Sequence, residues 1–172
     1  MRKQNNRGDR TRAATMWSLL DTVAELERRV GALYDRWAEI FRHLPLVADF
    51  WREMAGEERL HALIVGAARE VFPATALALP GGWSEQLTKV GKLLAVIEAN
   101  TVPGLSLEEA FARAEELETS ELDTVTGLII RQAGARFSRL APLVNQSGLD
   151  RHRERMVEAH RRFCTIDPLR VR

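Results

Sequence analysis

Cysteine is almost missing from this chain of 172 residues, which contains Cys164 alone. One cysteine forms no internal disulfide, and it supplies no Cys-x-x-Cys zinc site, four-cysteine iron site or dithiol redox motif. Stability must therefore come from an apolar core, and a chain of this length can bury a sufficient one without cross-links. This cysteine usage fits a reducing cytoplasm, which is the compartment we expect.

The sequence also lacks a strong net charge and a long apolar run. Its 25 Lys and Arg balance 24 Asp and Glu, so the charge indicates neither a nucleic-acid-binding nor a membrane-surface protein. No apolar run reaches the roughly 18 residues typical of a transmembrane helix. The first dozen residues are polar and basic, and the apolar run after them breaks at Asp21, too early for a signal-peptide core. We expect no nucleic-acid partner and no membrane partner.

Alternation of apolar and polar residues with period two is absent, whereas apolar residues recur with helical spacing among abundant Ala, Leu, Glu and Arg. The chain is therefore predicted to be all-α. A proline at the start of the second helix, Pro45, and a capping box of Ser106 with Glu109 at the start of the third support two of the boundaries. The predicted helices are 16–42, 46–72, 106–133 and 139–163, with a shorter one at 84–100.

One domain is predicted, a four-helix bundle over residues 16–163 between a flexible basic N-terminal tail, 1–15, and a C-terminal tail, 164–172. Short connections join the first helix to the second and the third to the fourth, so each pair is expected to be an antiparallel hairpin. Pro73 and Pro80 interrupt the helical pattern between the pairs. This interruption predicts a long crossover that contains the short helix.

Ionisable side chains occur on the helix faces where apolar residues are expected. Apolar positions spaced alternately four and three apart mark the inward face of a bundle helix. Buried carboxylates without compensation are costly, and no Lys or Arg lies on these faces. A bound cation would compensate several carboxylates at once, with imidazoles as nitrogen ligands. The carboxylate and imidazole residues on the inward faces are Glu27, Glu58, His61, Glu118, Glu121 and His152.

The spacing of these residues is matched between the two halves of the chain. Glu27 and His61 are 34 residues apart, and Glu118 and His152 are also 34 residues apart. Because a helix rises about 1.5 Å per residue, equal spacings predict that the ligands lie at one height in the bundle. A single Glu-x-x-His is common by chance on a helix surface, and a single histidine is more often a core residue. The match across four helices favours a metal site.

These residues resemble the metal site of the ferritin-like superfamily, and within it that of the rubrerythrin-type di-iron proteins. In that family the first helix carries a glutamate with an aromatic residue two turns later. The second carries Glu-x-x-His, the third a glutamate, and the fourth a second Glu-x-x-His. Glu27 with Tyr34 matches the first part, Glu58 with His61 the second, and Glu118 the third.

The fourth helix departs from the family pattern. Leu149 stands where the second Glu-x-x-His has its glutamate, so only His152 remains of that motif. Rubrerythrins carry an additional glutamate one turn after the third-helix ligand, and Glu121 occupies that place. If Glu121 points to the centre, two metals are expected. If it points away and remains a solvated residue, one metal or a pair of unequal affinity is expected.

The resemblance implies a centre of two iron ions, or manganese, that reduces peroxide or dioxygen or oxidises iron. Tyr34 is the candidate catalytic residue, because beside such a centre its hydroxyl could hydrogen-bond a ligand carboxylate; packing alone is the alternative. The sequence has no rubredoxin-like domain, so electrons would come from a separate donor. A homodimer or larger homo-oligomer is also expected.

Two alternatives to this interpretation follow from single residues. Met54 and Met156 lie on inward faces and suggest haem ligands, but methionine is more often a core residue, so we expect no haem. Leu149 suggests instead a bundle with an impaired or single-metal site that acts as a structural or interaction protein.

Overall fold

The computed structural model describes the backbone of residues 3–71, 73, 82–136, 142 and 151–164, and the side chains of 16–70, 73, 82–120, 122–132, 142 and 151–164. Within these residues the chain forms α-helices and no strand, which confirms the all-α prediction. None of these helices is both long enough and apolar enough to cross a membrane. The helices are α1 (Lys3–Ile40), α2 (Pro45–Val71), α3 (Trp83–Asn100), α4 (Leu107–Glu118), α5 (Glu121–Arg136) and α6 (His152–Cys164).

The first two helices form an antiparallel hairpin, as predicted. α2 begins at Pro45, where the missing N–H of proline costs no helical hydrogen bond. Ion pairs between the two helices show this direction, because an earlier residue of α1 pairs with a later residue of α2. Asp21 pairs with Arg69, and Asp35 pairs with Arg59, each at 2.6 Å. Both pairs are solvent-exposed and contribute little stability, so the buried face between the helices holds the hairpin together.

Two predicted helix boundaries differ from the structure. α1 begins at Lys3 rather than near residue 16, because extending a helix that packing has already nucleated costs little. The predicted basic tail is therefore helical from Lys3. The predicted fourth helix, 139–163, is described as α6 from His152 onward, and its earlier part, including Leu149, lies outside the described residues.

The predicted third helix is broken in two. α4 ends at Glu118 and α5 begins at Glu121. The last turn of α4 tightens here, since the N–H of Ser120 donates to the carbonyl of Leu117, three residues back, at 2.9 Å. The hydroxyl of Thr119 also donates to the carbonyl of Glu115 at 2.8 Å, a bond that often bends helices. The next hydroxyl, Ser120 Oγ, accepts the backbone N–H of Leu122 at 3.3 Å and so caps the start of α5. The prediction of one continuous helix over 106–133 is wrong.

The capping box predicted at the start of α4 is present. Ser106 Oγ accepts the backbone N–H of Glu109 at 3.2 Å, and the Glu109 carboxylate accepts the backbone N–H of Ser106 at 3.0 Å. The short crossover helix is confirmed as α3. It packs on α1, where Arg29 and Glu98 form a two-bond ion pair at 3.0 and 2.6 Å.

α4 and α6 also pack antiparallel to each other. The ring centroids of Phe111 and Phe163 are 6.3 Å apart, and farther along the pair Glu118 lies beside His152. A cluster of four buried aromatic rings fills the space between this pair and the first hairpin. Their centroids are 4.8–5.4 Å apart, a spacing at which each ring pair adds about 0.5–1.5 kcal/mol beyond burial. The rings belong to Tyr34, Trp37, Trp51 and Phe111.

A buried glycine sets the distance between α1 and α2. A Cβ at Gly31 would lie 3.3 Å from the carbonyl oxygen of Ala55 and 3.3 Å from Cβ of Glu58. These are tight contacts with a backbone atom and with the root of a side chain, which have little freedom to move. Gly31 therefore lets α2 approach α1 at the level of Glu58.

Replacing Gly31 by Ala is expected to strain this contact. The change Gly→Ala normally stabilises a helix interior by about 0.8–1.0 kcal/mol. Gly56→Ala is the matched control, because Gly56 is exposed on α2 and its Cβ would meet nothing within 4 Å. We expect Gly56→Ala to have a higher free energy of unfolding in urea than the wild type. We expect Gly31→Ala to have a lower free energy of unfolding than Gly56→Ala. Equal gains in the two variants would contradict the close approach.

Candidate metal centre

Six of the seven predicted site side chains meet in the core between the helices. All six are buried, with exposed fractions between 0% and 8%. They are Tyr34 and Glu27 of α1, Glu58 and His61 of α2, Glu118 of α4, and His152 of α6. The side chain of the seventh, Glu121, lies outside the described residues, so its place in the site stays a prediction.

The Glu58 carboxylate lies between two imidazoles. Its Oε2 is 3.1 Å from Nδ1 of His61, and its Oε1 is 3.1 Å from Nε2 of His152. Each imidazole also faces a carboxylate of its own. Glu27 Oε2 is 3.8 Å from the His61 nitrogen, and Glu118 Oε1 is 3.2 Å from the His152 nitrogen.

We call the group of Glu27, Glu58 Oε2 and His61 the first half-site, and the group of Glu58 Oε1, Glu118 and His152 the second half-site. Donor atoms that lie 2.0–2.2 Å from one ion are about 2.8–3.6 Å apart when they are neighbours in octahedral or tetrahedral geometry. The 3.1 and 3.2 Å separations in the second half-site fall within that range. Donor atoms of Glu58, His61 and His152 all lie within 4.8 Å of one another, so the three side chains converge on one region of the interior.

The buried imidazole of His152 lacks hydrogen-bond partners for its two ring nitrogens. It is 1% exposed, and neither ring nitrogen makes a hydrogen bond of normal geometry, although carboxylate oxygens lie 3.1–3.2 Å away. A buried polar atom without a hydrogen bond costs about 1–3 kcal/mol. Coordination of a cation by Nε2 would satisfy that atom and neutralise the adjacent carboxylates. The residues present therefore fit a metal ion.

The charges of the site are balanced by protons when no cation is bound. Burial raises the pKa of Glu27 from 4.5 to about 8, and the charge of Glu58 adds to the effect. Burial also opposes ionisation of Glu58, but the two imidazoles outweigh it and hold the pKa of Glu58 well below its usual range. The carboxylates in turn outweigh burial at His61 and His152 and raise the pKa of both imidazoles. A cation must displace these protons, so its affinity rises with pH.

A small cavity adjoins the first half-site. Its volume is about 20 Å³, enough for about one water-sized guest. Its wall combines carboxylates from four helices with apolar side chains. The lining residues are Glu27, Val30, Glu58, His61, Leu117, Glu118, Leu122 and Asp123.

Two hydroxyls hold the outer carboxylates in place. Tyr34 Oη donates to Glu118 Oε1 at 2.5 Å, the type of hydrogen bond that the sequence suggested for this tyrosine. Burial and the charge of Glu118 raise the pKa of Tyr34 well above its usual value, so the phenol keeps its proton. Thr126 Oγ1 of α5 donates to Glu27 Oε1. The catalytic role of Tyr34 stays a prediction.

Sequence reasoning did not identify Glu57, which stands behind His152. Glu57 Oε2 lies 3.2 Å from Nδ1 of His152, on the side of the ring opposite Glu58. Arg155 pairs with Glu57 and, at 2.9 Å, with Glu53. Glu57 is adjacent to Glu58 in sequence and so lies about 100° from the inward face of α2. No periodicity signal could have found it.

His160 of α6 lies outside both half-sites. Its Nδ1 is 2.7 Å from Glu115 Oε1, and its ring stacks on Phe111 with centroids 5.2 Å apart. The two methionines considered as haem ligands, Met54 and Met156, are fully buried among apolar side chains of the core.

Comparison with known proteins does not identify a relative. No protein-family model, curated protein or solved structure matches the chain. The interpretation of the site consequently depends on its geometry, and the resemblance to the ferritin-like superfamily stays a prediction from the sequence.

Removing the Tyr34 hydroxyl is expected to destabilise the metal-free protein. Tyr34→Phe would leave Glu118 Oε1 without its short hydrogen bond in a buried setting, at a cost of about 1–3 kcal/mol. The measurement is equilibrium unfolding in urea. In a Glu118→Gln background the hydroxyl bonds a neutral amide instead of a carboxylate, so Tyr34→Phe should lower the free energy of unfolding by less. Equal costs in both backgrounds would show that the hydroxyl does not act through Glu118.

Proposed function

We propose that this protein is a ferritin-like, rubrerythrin-type bundle that binds two transition-metal ions, iron or manganese, and uses them to reduce peroxide or dioxygen. The observation that carries the proposal is the position of Glu58, whose two oxygens each lie 3.1 Å from a nitrogen of a different imidazole. A carboxylate in this position can bridge two ions. The antiparallel α1–α2 and α4–α6 pairs support the bundle arrangement.

Each proposed ion has its own ligands besides the shared glutamate. The first ion would take Glu27 and His61, and the second would take Glu118 and His152. One imidazole with carboxylates for each ion suits iron and manganese, which accept nitrogen and oxygen donors. Glu121 remains a candidate for an additional carboxylate, since α5 begins at that residue beside Glu118.

Two ferrous ions would supply the two electrons that convert hydrogen peroxide and two protons to two waters, and a separate donor would return them. The chain itself orients the centre and limits access to it. Tyr34 and Thr126 orient Glu118 and Glu27 by hydrogen bonds. The buried aromatic cluster that includes Trp51 excludes water from its side of the centre. The cavity at the first half-site has room for a substrate about the size of water. Iron oxidation is a close alternative that uses the same ligands.

One observation favours a non-catalytic alternative. Protons on Glu27, His61 and His152 balance the buried carboxylates when no cation is bound, so the chain can bury the site without an ion. A bundle of that kind would act as a structural or interaction protein with one metal or none. Metal analysis distinguishes the two functions directly.

The bridging position of Glu58 predicts how single substitutions change metal content. Protein loaded anaerobically with Fe(II) or Co(II) should bind about two ions per chain. His61→Ala and His152→Ala should each lower the content to about one, because each removes the nitrogen of one half-site. Glu58→Ala should lose both, because it removes a ligand from each ion. The content is measured by elemental analysis after desalting.

His160→Ala is the matched control, since His160 lies on α6 outside both half-sites and should leave the metal content unchanged. Circular dichroism of each metal-free variant checks that the helices remain. Absence of bound metal in the wild-type protein after anaerobic loading would contradict the proposed function. Retention of both ions by Glu58→Ala would contradict the bridge.

Glu57 is expected to tune the second half-site through His152. When Nδ1–H of His152 donates to Glu57, its Nε2 lone pair faces Glu58 and Glu118. Removal of such an outer carboxylate typically weakens metal binding by about 10–100-fold. Glu57→Gln should therefore lower the affinity for one of the two ions in a Co(II) titration and leave the affinity for the other unchanged. Glu53→Gln is the control, because Glu53 also contacts Arg155 but does not face His152; equal effects of both variants would contradict this role.

A further inference from the structure

The cavity beside the first half-site has a mouth at Asp123. Of the eight residues that line the cavity, seven are buried, and Asp123 alone retains partial exposure. A path from solvent to Glu27 and His61 therefore passes the Asp123 carboxylate. The break between α4 and α5 lies beside this mouth, since Asp123 is the third residue of α5.

The segment that contains this mouth is acidic. Residues 115–123 contain five carboxylates and no basic residue, and among the described side chains Glu116 is exposed and Asp123 partly exposed. A cluster of one sign at the entrance of a cleft with apolar walls focuses the field and raises the local concentration of the opposite charge. The apolar part of the wall is present here as Leu117 and Leu122.

The second half-site has no comparable opening among the described residues around it. His152 is 1% exposed, and the Glu57–Arg155–Glu53 ion pairs cover its outer side. A cation that approaches from that side must first displace Arg155 from Glu57 and Glu53. Entry at the first half-site is the favoured route.

We propose that Asp123 is the entry carboxylate for metal ions, which pass from it into the first half-site and reach the second half-site across Glu58. The proposal rests on the proposed metal-binding function and adds a route and an order of filling. Asp123 is not assigned as a ligand, because its side chain is partly exposed at the cavity wall, whereas the proposed ligands with described side chains are buried. Its effect should therefore be on the rate of loading and not on the final content.

The test is stopped-flow mixing of metal-free protein with Co(II), followed by the absorption of the bound ion. Asp123→Asn should load about tenfold more slowly than the wild type, in line with the loss of electrostatic guidance, and should still reach the same content. Asp123→Glu should restore most of the rate. The matched control is Glu116→Gln, which removes one charge from the same acidic stretch at an exposed position outside the cavity wall. That variant should load within about twofold of the wild type.

The outcomes separate this proposal from the proposed function. If the wild-type protein binds no Co(II), both are overturned. If it binds two ions and Asp123→Asn loads as fast as Glu116→Gln, the entry route is overturned while the proposed function stands. If Asp123→Asn lowers the final content to about one ion, Asp123 is a ligand and the entry role is overturned. Slow loading to full content supports the proposal, and added salt should then slow the wild type more than Asp123→Asn.

Discussion

The structure of the site depends on one shared group, the Glu58 carboxylate, buried between imidazoles from two different helices. Its oxygens lie 3.1 Å from His61 of α2 and 3.1 Å from His152 of α6. Docking of α6 on α4 brings His152 to the interior, and Gly31 lets α1, which carries Glu27, approach α2 closely at the level of Glu58. Tyr34 and Thr126 then fix the outer carboxylates around the shared one.

Burial makes the ionised Glu58 carboxylate and its neighbouring carboxylates energetically costly. Carboxylates removed from water must be protonated, paired or bound to a cation, because an isolated buried charge is too costly. In the chain alone, protons on Glu27 and on the imidazoles meet that requirement. Cations that displace these protons would occupy a site whose geometry is already formed. Under the proposed function, metal binding and folding are expected to be separable, unlike in small domains that fold only with their metal.

The sequence predicted what repeats along a helix and missed what does not. Inward spacing identified Glu58, His61 and His152, because burial on one helix face follows a fixed period. The break after Glu118 was missed, since the short-range hydrogen bonds that end α4 and begin α5 do not follow the spacing of buried residues. Asp123, the third residue of α5 after that break, lines the cavity. Glu57 was missed because its contact with His152 joins two helices, and no single-helix pattern records such a contact.

The claim that two ions share Glu58 is tested most directly by electron paramagnetic resonance of the Mn(II)-loaded protein. Two Mn(II) ions held by one bridging carboxylate, about 3.5–4 Å apart as in other two-metal sites, interact magnetically and give a broadened, coupled spectrum. We expect that spectrum at full loading, and we expect it to convert to the six-line signal of an isolated ion in His61→Ala or His152→Ala. A six-line signal from the fully loaded wild-type protein would contradict it.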